Sequence, residues 1–174
     1  MEDINKQSTK LRRPHITLVA AVVVLTTLAL AACNRKPLLD ETHDLGGTWN
    51  RFKNEVFEVE VKNTDDYYDI YLKAVFDTSQ FHYASLPVNI NIYSSDGERR
   101  MFSATLPLRD RQQMMTGKMI DGYLVVDHRV RDLFSFNSKG SYRIEVGQAT
   151  QYYDIHGIKS VSLHIEPADL DLPE

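Results

Sequence analysis

The sequence of 174 residues contains a single cysteine, Cys33. One cysteine cannot form a disulfide bond within the chain, and it cannot supply a thiolate metal site without other ligands. A domain folded from this sequence must therefore depend on its apolar core for stability. The chain is long enough to bury a core of ordinary size.

The chain also lacks the motifs that identify common catalytic sites. It has no G-x-S-x-G, no H-E-x-x-H, no phosphate-binding loop and no dinucleotide fingerprint. Asp127 and His128 are adjacent, and adjacent strand residues point to opposite faces, so they cannot orient each other as an acid–base pair. None of the histidines has metal-ligand spacing with a third ligand nearby; they are His15, His43, His82, His128, His156 and His164. The sequence predicts a protein that is not an enzyme, with no catalytic residue, cofactor or metal.

After residue 32 the sequence has fewer cationic than acidic residues. The whole chain has 20 Lys and Arg and 24 Asp and Glu, and four of those cations and two of those acids lie before residue 33. The remainder, with 16 cations and 22 acids, has a net charge near −6. An acidic surface repels phosphate backbones and anionic lipid head groups, so nucleic-acid binding is not expected.

The first 32 residues have the three parts of a secretory signal. Four cations precede residue 14, and residues 16–30 consist only of Ile, Leu, Val, Ala and Thr. This apolar run is shorter than the roughly 20 residues that a membrane-spanning helix needs. Residues 1–32 are therefore predicted to be a signal peptide.

The signal ends in Leu30-Ala31-Ala32-Cys33, which resembles the bacterial lipobox. The resemblance implies that the Cys33 thiol receives a diacylglyceryl group, that cleavage leaves Cys33 as the new N-terminus, and that acylation with a chain such as palmitate follows. The alternative is an uncleaved anchor helix in which Cys33 is merely a small apolar residue. Each buried lipid methylene contributes about 0.8 kcal/mol, so several acyl chains on Cys33 would hold the protein firmly on a membrane.

Alternation of apolar and polar residues dominates the rest of the chain and predicts β-strands. Turn signals separate the alternating segments, for example Asp96-Gly97 in a hairpin. Residues 109–122 are predicted to be a loop, and residues 150–158 a short helical turn or a crossover. The count favours an all-β fold, an antiparallel sandwich of about seven to eight strands. The predicted inward-facing residues are Phe57, Val59, Val61, Ile70, Leu72, Ala74, Phe76, Leu86, Val88, Ile90, Ile92, Phe102, Ala104, Leu106, Leu124, Val126, Val130, Tyr142, Ile144, Val146, Val161, Leu163 and Ile165.

The predicted domain organisation places one domain between two short segments. Residues 33–48 are expected to form a lipidated tether, because Pro37 and the pair Gly46-Gly47 oppose regular structure. Residues 49–166 form the sandwich domain and residues 167–174 a C-terminal tail. Trp49, the only tryptophan, is expected to pin the end of the tether onto the core.

Nine tyrosines follow Cys33, including the doublets Tyr67-Tyr68 and Tyr152-Tyr153. Tyrosine is enriched at interfaces because it buries apolar area and keeps a polar tip. We therefore take Tyr71 and Tyr93, on polar strand faces, as a candidate surface for envelope protein partners. Two alternatives stay open: a tethered glycan-binding module that stacks sugars on tyrosines, and the simple preference of half-buried strands for tyrosine.

Several stretches of the mature chain resemble one family of envelope proteins. Trp49 precedes the strand "FEVEV", and "FHYASLPVNINI" and "GKMIDGYLV" follow. The best stretches are "FNSKGSYRIEVGQA" and then "HGIKSVSLHIE", with Gly-x-Tyr, Gln-Ala and Gly-Ile in that order. Over about residues 49–166 the chain resembles the GldH-like gliding-motility lipoproteins of Bacteroidota.

The resemblance implies a cell-envelope lipoprotein linked to gliding and secretion machinery, or to its equivalent in a bacterium that does not glide. It implies no catalytic residue, and Cys33 is the one functional position that it transfers. Asn34 follows Cys33 in place of the Asp that favours inner-membrane retention in some bacteria. We therefore expect attachment to the periplasmic face of the outer membrane rather than to the inner membrane.

Overall fold

The structure is a computed structural model, and it describes residues 36–169. The predicted signal peptide, the lipobox and Cys33 lie outside these residues, as do residues 170–174 of the predicted tail. Within residues 36–169 there is no helix that is long and apolar enough to cross a membrane.

Nine strands form two antiparallel sheets that face each other in a sandwich. Five strands make one sheet in the order β1-β9-β3-β7-β6, and four make the other in the order β2-β8-β4-β5. The predicted all-β sandwich is confirmed, with nine strands in place of seven to eight. The strands are β1 Leu39–Asn50, β2 Glu55–Val61, β3 Tyr68–Phe76, β4 Ser85–Ser94, β5 Arg99–Pro107, β6 Lys118–Ile120, β7 Tyr123–Phe134, β8 Gly140–Gln148 and β9 Asp154–Pro167.

The core lies between the two sheets and consists of the predicted apolar alternations. Leu72 on β3 and Leu163 on β9 are fully buried in one sheet, and Ile90 on β4 is fully buried in the other. Fully burying an aliphatic side chain of this size contributes roughly 1.5–3 kcal/mol. Three predicted inward residues, Phe102, Ala104 and Val130, are only partly buried and pack against the edge of this core.

Residues 39–48, expected to belong to the tether, are in strand β1. They pair with β9 from Leu39 opposite Ile165 to Asn50 opposite Asp154. The positive φ angles of Gly46 and Gly47 accompany a shift of register, so this glycine pair makes a bulge inside the strand and does not end it. Trp49 is buried as expected, but it lies at the end of β1 that is farther from the tether.

Two other expectations differ in part from the structure. The predicted loop 109–122 contains the edge strand β6, which forms a hairpin with β7 through Asp121 and Gly122, both at positive φ. This is the Asp-Gly signal of a two-residue hairpin turn. For residues 150–158, the expected crossover is present and the alternative helical turn is not: residues 149–153 cross between the sheets, and β9 begins at Asp154.

The strand directions define two ends of the sandwich. The chain enters at Leu39, and loops 62–67, 95–98 and 135–139 lie at this same end, which we call the near end. Loops 51–54, 77–84 and 149–153 lie at the opposite end, together with the segment 108–122, which contains β6 and its turn; we call this the far end.

Candidate functional site

Exposed apolar side chains are concentrated at the far end. Eleven large apolar side chains are exposed in the part of the chain that the structure describes, and only Tyr67, Met101 and Leu133 lie away from the far end. The other eight are Phe52, Tyr83, Met114, Met115, Met119, Ile120, Tyr152 and Tyr153. Single exposed apolar residues are ordinary, but a group of them at one place marks an interaction surface.

Four of these side chains form what we call the far-end aromatic surface: Phe52, Tyr83, Tyr152 and Tyr153. The ring centroids of Phe52 and Tyr153 are 5.7 Å apart, and those of Tyr83 and Tyr152 are 5.5 Å apart. The chain neighbours Tyr152 and Tyr153 join the two pairs. The rings within each pair are tilted by 45° and 39°, so they do not form one flat platform.

The loop that carries Tyr83 is fixed to the core. Tyr83 packs edge-on against buried Phe81, and Phe81 packs against Phe76 at a centroid distance of 4.8 Å. Asp77 N donates to the Gly157 carbonyl at 2.8 Å. A Cβ on Gly157, whose φ is +84°, would lie 2.7 Å from Phe81 N. Glycine at this position of β9 therefore allows loop 77–84 to approach the strand closely.

The loop that carries Tyr152 and Tyr153 is held by Gln148, which is buried at the end of β8. Gln148 Nε2 donates to the Tyr152 carbonyl at 3.0 Å. Gln148 Oε1 accepts hydrogen bonds from Thr150 N at 2.8 Å and from Thr150 Oγ1 at 2.7 Å. One side chain thus satisfies backbone groups on both sides of the bend, which fixes the direction of the two tyrosines.

The turn that carries Phe52 is joined to both neighbouring elements. Trp49 Nε1 donates to the Lys53 carbonyl at 3.0 Å, and Arg51 N donates to the Tyr153 carbonyl at 2.8 Å. The Arg51 guanidinium lies 5.6 Å from the centre of the Phe52 ring. This geometry places a cation beside an exposed aromatic ring.

The loops at the two ends differ in net charge. Among the far-end loops, 51–54 contains two cations, 77–84 one acid, the segment 108–122 three cations and two acids, and 149–153 no charge, which gives +2. Among the near-end loops, 62–67 contains one cation and two acids, 95–98 two acids, and 135–139 one cation, which gives −2. The far-end loops are thus positive although the chain as a whole is acidic.

The structure does not bring together Tyr71 and Tyr93, the tyrosines chosen from the sequence. Tyr71 lies on the outer face of the five-stranded sheet, edge-on to His164 at 6.1 Å. Tyr93 lies on the outer face of the four-stranded sheet, with guanidinium groups 5.4 and 5.7 Å from its ring. These faces are on opposite sides of the sandwich, so the two residues cannot form one continuous surface.

A shallow depression of about 230 Å³ lies on the outer face of the five-stranded sheet, lined by Asp40, Lys73, Asp127, Ser162 and His164. His164 Nδ1 lies 3.6 Å from Asp40 Oδ1, and Nε2 lies 3.3 Å from Glu166 Oε2. Both ring nitrogens face carboxylates, and the Ser162 hydroxyl instead accepts a hydrogen bond from Thr42 Oγ1 at 2.7 Å. This arrangement does not activate a serine nucleophile.

Asp127 and His128 lie on different faces of the five-stranded sheet. Asp127 is opposite Lys73 on the outer face, whereas His128 is opposite Leu72, which is buried on the inner face. The expectation that they point to opposite faces is confirmed. Among residues 36–169, no three His, Cys, Asp or Glu side chains are grouped in a way that could hold a metal ion.

A charged cluster joins the two sheets where β1 lies beside β2. His43 Nδ1 lies 2.8 Å from Glu55 Oε2 and His43 Nε2 lies 2.9 Å from Glu41 Oε1, while the ring stacks on Phe57. Both nitrogens can donate only in the protonated imidazolium. Burial lowers the pKa of His43, but hydrogen bonds and charge from the two glutamates outweigh it, and the net pKa is raised. Lys53 Nζ lies 3.7 Å from Glu55 Oε1 on the same cluster.

The quoted sequence motifs have structural roles. Gln148 and Gly157 position far-end loops, as described above. Tyr142, in the Gly-x-Tyr motif, donates its hydroxyl proton to the Ser138 carbonyl at 3.0 Å and so shapes a near-end loop. Sequence reasoning did not single out Phe52. An aromatic residue in the polar turn "RFKN" was the available signal, because it lies outside every alternation that builds the core.

Comparison with solved structures includes two remote likenesses. The Eiger tumour necrosis factor of S. frugiperda is 10% identical, with a TM-score of 0.34 over 80% of this chain and 98% of that one. The VP2 subviral particle protein of infectious bursal disease virus is 14% identical, with a TM-score of 0.25 over 76% of this chain and 30% of that one. At these scores neither likeness indicates a function.

Sequence comparison is more informative about the family. No curated protein sequence matches the chain significantly. The family model of the GldH lipoprotein matches residues 38–165. These residues include strands β1 to β8 in full and β9 as far as Ile165. The resemblance noted from the sequence motifs is thereby confirmed, and the chain belongs to the GldH lipoprotein family.

Proposed function

We propose that this protein is a non-enzymatic lipoprotein that docks onto protein partners in the cell envelope through its far end. Family membership implies a lipid-anchored envelope protein of the gliding-motility type. The finer proposal, docking, rests on one observation: eight of the eleven exposed large apolar side chains lie at the far end. Such a group is costly to leave in water and is characteristic of an interaction surface.

The position of the proposed anchor supports this reading. Only five residues lie between Cys33 and Leu39, a reach of at most about 20 Å. Strand β1 has 12 residues, and an extended strand of this length covers about 36 Å between its first and last Cα atoms. A lipid on Cys33 therefore joins the domain at the near end and leaves the far end available to a partner.

Anchoring also lowers the affinity that docking requires. A domain held on a membrane meets other envelope proteins at a raised effective concentration, so a modest intrinsic affinity is sufficient. An enzyme would need acid–base groups that converge on one site, whereas docking needs only a surface of fixed shape. Hydrogen bonds from the Gln148 and Trp49 side chains hold the far-end loops in one conformation.

Photo-crosslinking of the full-length lipoprotein in the source bacterium tests the proposal. A photoreactive p-benzoylphenylalanine replaces Tyr153 at the far end, and a second strain carries it in place of Tyr67, which is exposed at the near end. We expect discrete protein adducts from position 153 and few or none from position 67. Equal adducts from both positions, or adducts from position 67 alone, would count against docking through the far end.

A further inference from the structure

We propose that the far-end aromatic surface, together with Arg51 and Lys53, receives an acidic segment of the partner protein. This inference rests on the proposed docking function and adds the chemistry of the segment that is bound. It combines three observations: the exposed rings, the way in which their loops are fixed, and the charge that surrounds them.

The exposed rings supply the apolar part of the site. Phe52 and Tyr153 expose 75% and 68% of their surface, so most of each ring is available to a partner. Aromatic side chains dominate the energetics of protein interfaces because each buries a large area at a low entropic cost. The rings within each pair are tilted, so they do not offer the flat platform on which a sugar ring stacks.

The rings are held in place before a partner binds. Tyr83 rests on Phe81, the Tyr152 carbonyl is bonded to Gln148, and the turn of Phe52 is bonded to Trp49 and Tyr153. A surface that is already ordered loses little conformational entropy on binding. This favours docking of a segment onto a fixed surface over mutual folding of both partners.

The charges near the rings select an acidic segment. Arg51 bonds to the Gln151 carbonyl and has no carboxylate within 4 Å among residues 36–169. The Lys53 side chain is 73% exposed and lies 3.7 Å from Glu55. The nearest acid of the adjoining strand, Asp154, accepts a hydrogen bond from Asn50 Nδ2 at 2.8 Å. The net +2 of the far-end loops complements a segment rich in Asp or Glu.

The test combines crosslinking with charge reversal in the full-length lipoprotein. Photoreactive phenylalanine at position 153 is crosslinked in strains that are otherwise native, that carry Arg51→Glu with Lys53→Glu, or that carry Lys62→Glu with Lys139→Glu. The last pair makes the same change in net charge at near-end loops and serves as the matched control. Mass spectrometry then identifies the partner peptide attached at position 153.

We expect the attached peptide to carry a net negative charge. Charge reversal at Arg51 and Lys53 should lower the adduct yield by about tenfold. The two cations attract the acids of the partner segment, whereas glutamates at the same positions repel them. The near-end reversal should leave the yield unchanged. In isolated membranes, added salt should lower the yield of the native strain, because exposed charge interactions are screened.

Other outcomes overturn the inference in distinguishable ways. A discrete protein adduct whose peptide is neutral or basic, and whose yield survives reversal at Arg51 and Lys53, would remove the acidic segment but keep docking. An adduct only to a second copy of this chain would assign the surface to self-association. A protease-resistant adduct that contains sugar would assign it to a glycan, and a lipid adduct would assign it to a membrane; both would also remove protein docking. A loss of yield in the reversed strain counts only if its thermal unfolding matches that of the control.

Discussion

The near and far ends of this sandwich are closed by loops of opposite character. Near-end loops have a net charge of −2, and Tyr67 is the only large apolar side chain that they expose within residues 36–169. Far-end loops have a net charge of +2 and expose most of the large apolar side chains. A strand side chain holds one loop at each end: Gln148 holds loop 149–153, and Tyr142 holds loop 135–139. Both ends close the same two sheets, so the fold does not require the difference. The exposed apolar side chains of the far end are the feature that the proposed docking function would account for.

The largest expected effect comes from removing the near-end attachment. Cys33→Ser should abolish lipidation completely, because the proposed acceptor is the thiol itself. Metabolic labelling with a fatty-acid analogue should mark the native lipoprotein and not the variant, and the variant should keep its signal peptide. Equal labelling of both proteins would show that Cys33 is not the acceptor.

Glycine replacements compare how the two ends are built. Gly157→Ala places a Cβ at positive φ and 2.7 Å from Phe81 N, so it should lower the free energy of unfolding by roughly 2–4 kcal/mol. Gly97→Ala at the near end also has positive φ but meets nothing within 4 Å, and it should cost about 1 kcal/mol. Urea unfolding of the full-length chain in detergent measures both. A similar loss in the two variants would show that loop 77–84 is not tightly packed against β9.

Loss of the Gln148 hydrogen bonds should lower the local stability of the far end only. Gln148→Ala leaves the Tyr152 carbonyl and Thr150 N without their partner, which costs about 1–3 kcal/mol in local stability. Hydrogen exchange should accelerate in residues 149–153 and stay unchanged in residues 135–139. Tyr142→Phe should give the reverse pattern, because its hydroxyl is bonded to Ser138. Acceleration of both loops in either variant would mean that the ends are not independent.

The cluster around His43 lies between the ends and predicts a pH dependence. Its raised pKa means that the folded state holds the proton more tightly than the unfolded chain does. The resulting stabilisation is fully present below the ordinary value of 6.5 and is lost as the pH rises through the higher folded value. His43→Gln should reduce the fall in unfolding free energy between pH 6 and pH 9. An unchanged pH profile in His43→Gln would contradict the role of this cluster.

The smallest expected effects are those of the sheet-face tyrosines. Tyr71→Ala and Tyr93→Ala should each change the unfolding free energy by less than about 1 kcal/mol, since both side chains are only half-buried. If docking uses the far end, partner recovery should fall less in these variants than in Tyr153→Ala. A larger loss from Tyr71→Ala or Tyr93→Ala would move the docking surface onto that sheet face.

The central strands could be predicted from the sequence because each has one apolar face. Leu72, Ile90 and Leu163 stand in strict alternation and are fully buried. Strand β1 was missed because an edge strand needs backbone partners more than apolar residues, and its glycine pair suggests an end where the structure has a bulge. Strand β6 was missed because its three residues are all exposed.

The candidate site was harder to predict for a different reason. The doublet Tyr152-Tyr153 and Tyr83 could be noted as tyrosines, but their contact depends on two loops about 70 positions apart meeting at one end. Phe52 joins them because Arg51 N donates to the Tyr153 carbonyl, where the Phe52 ring lies beside that of Tyr153. Alternation along a strand reports which face a residue takes, and it carries no information about which loops are neighbours.

The pairing of the first strand with the last one has a consequence for the timing of folding. Thr42 on β1 meets Ser162 on β9, and 120 positions separate them along the chain. Strand β9 lies between β1 and β3, so the five-stranded sheet cannot assemble before residues 154–167 are available. Contacts this remote in sequence make folding slow. The sheet therefore closes only after its last strand has been made, and we expect a truncation after Ala149 to be degraded rather than folded.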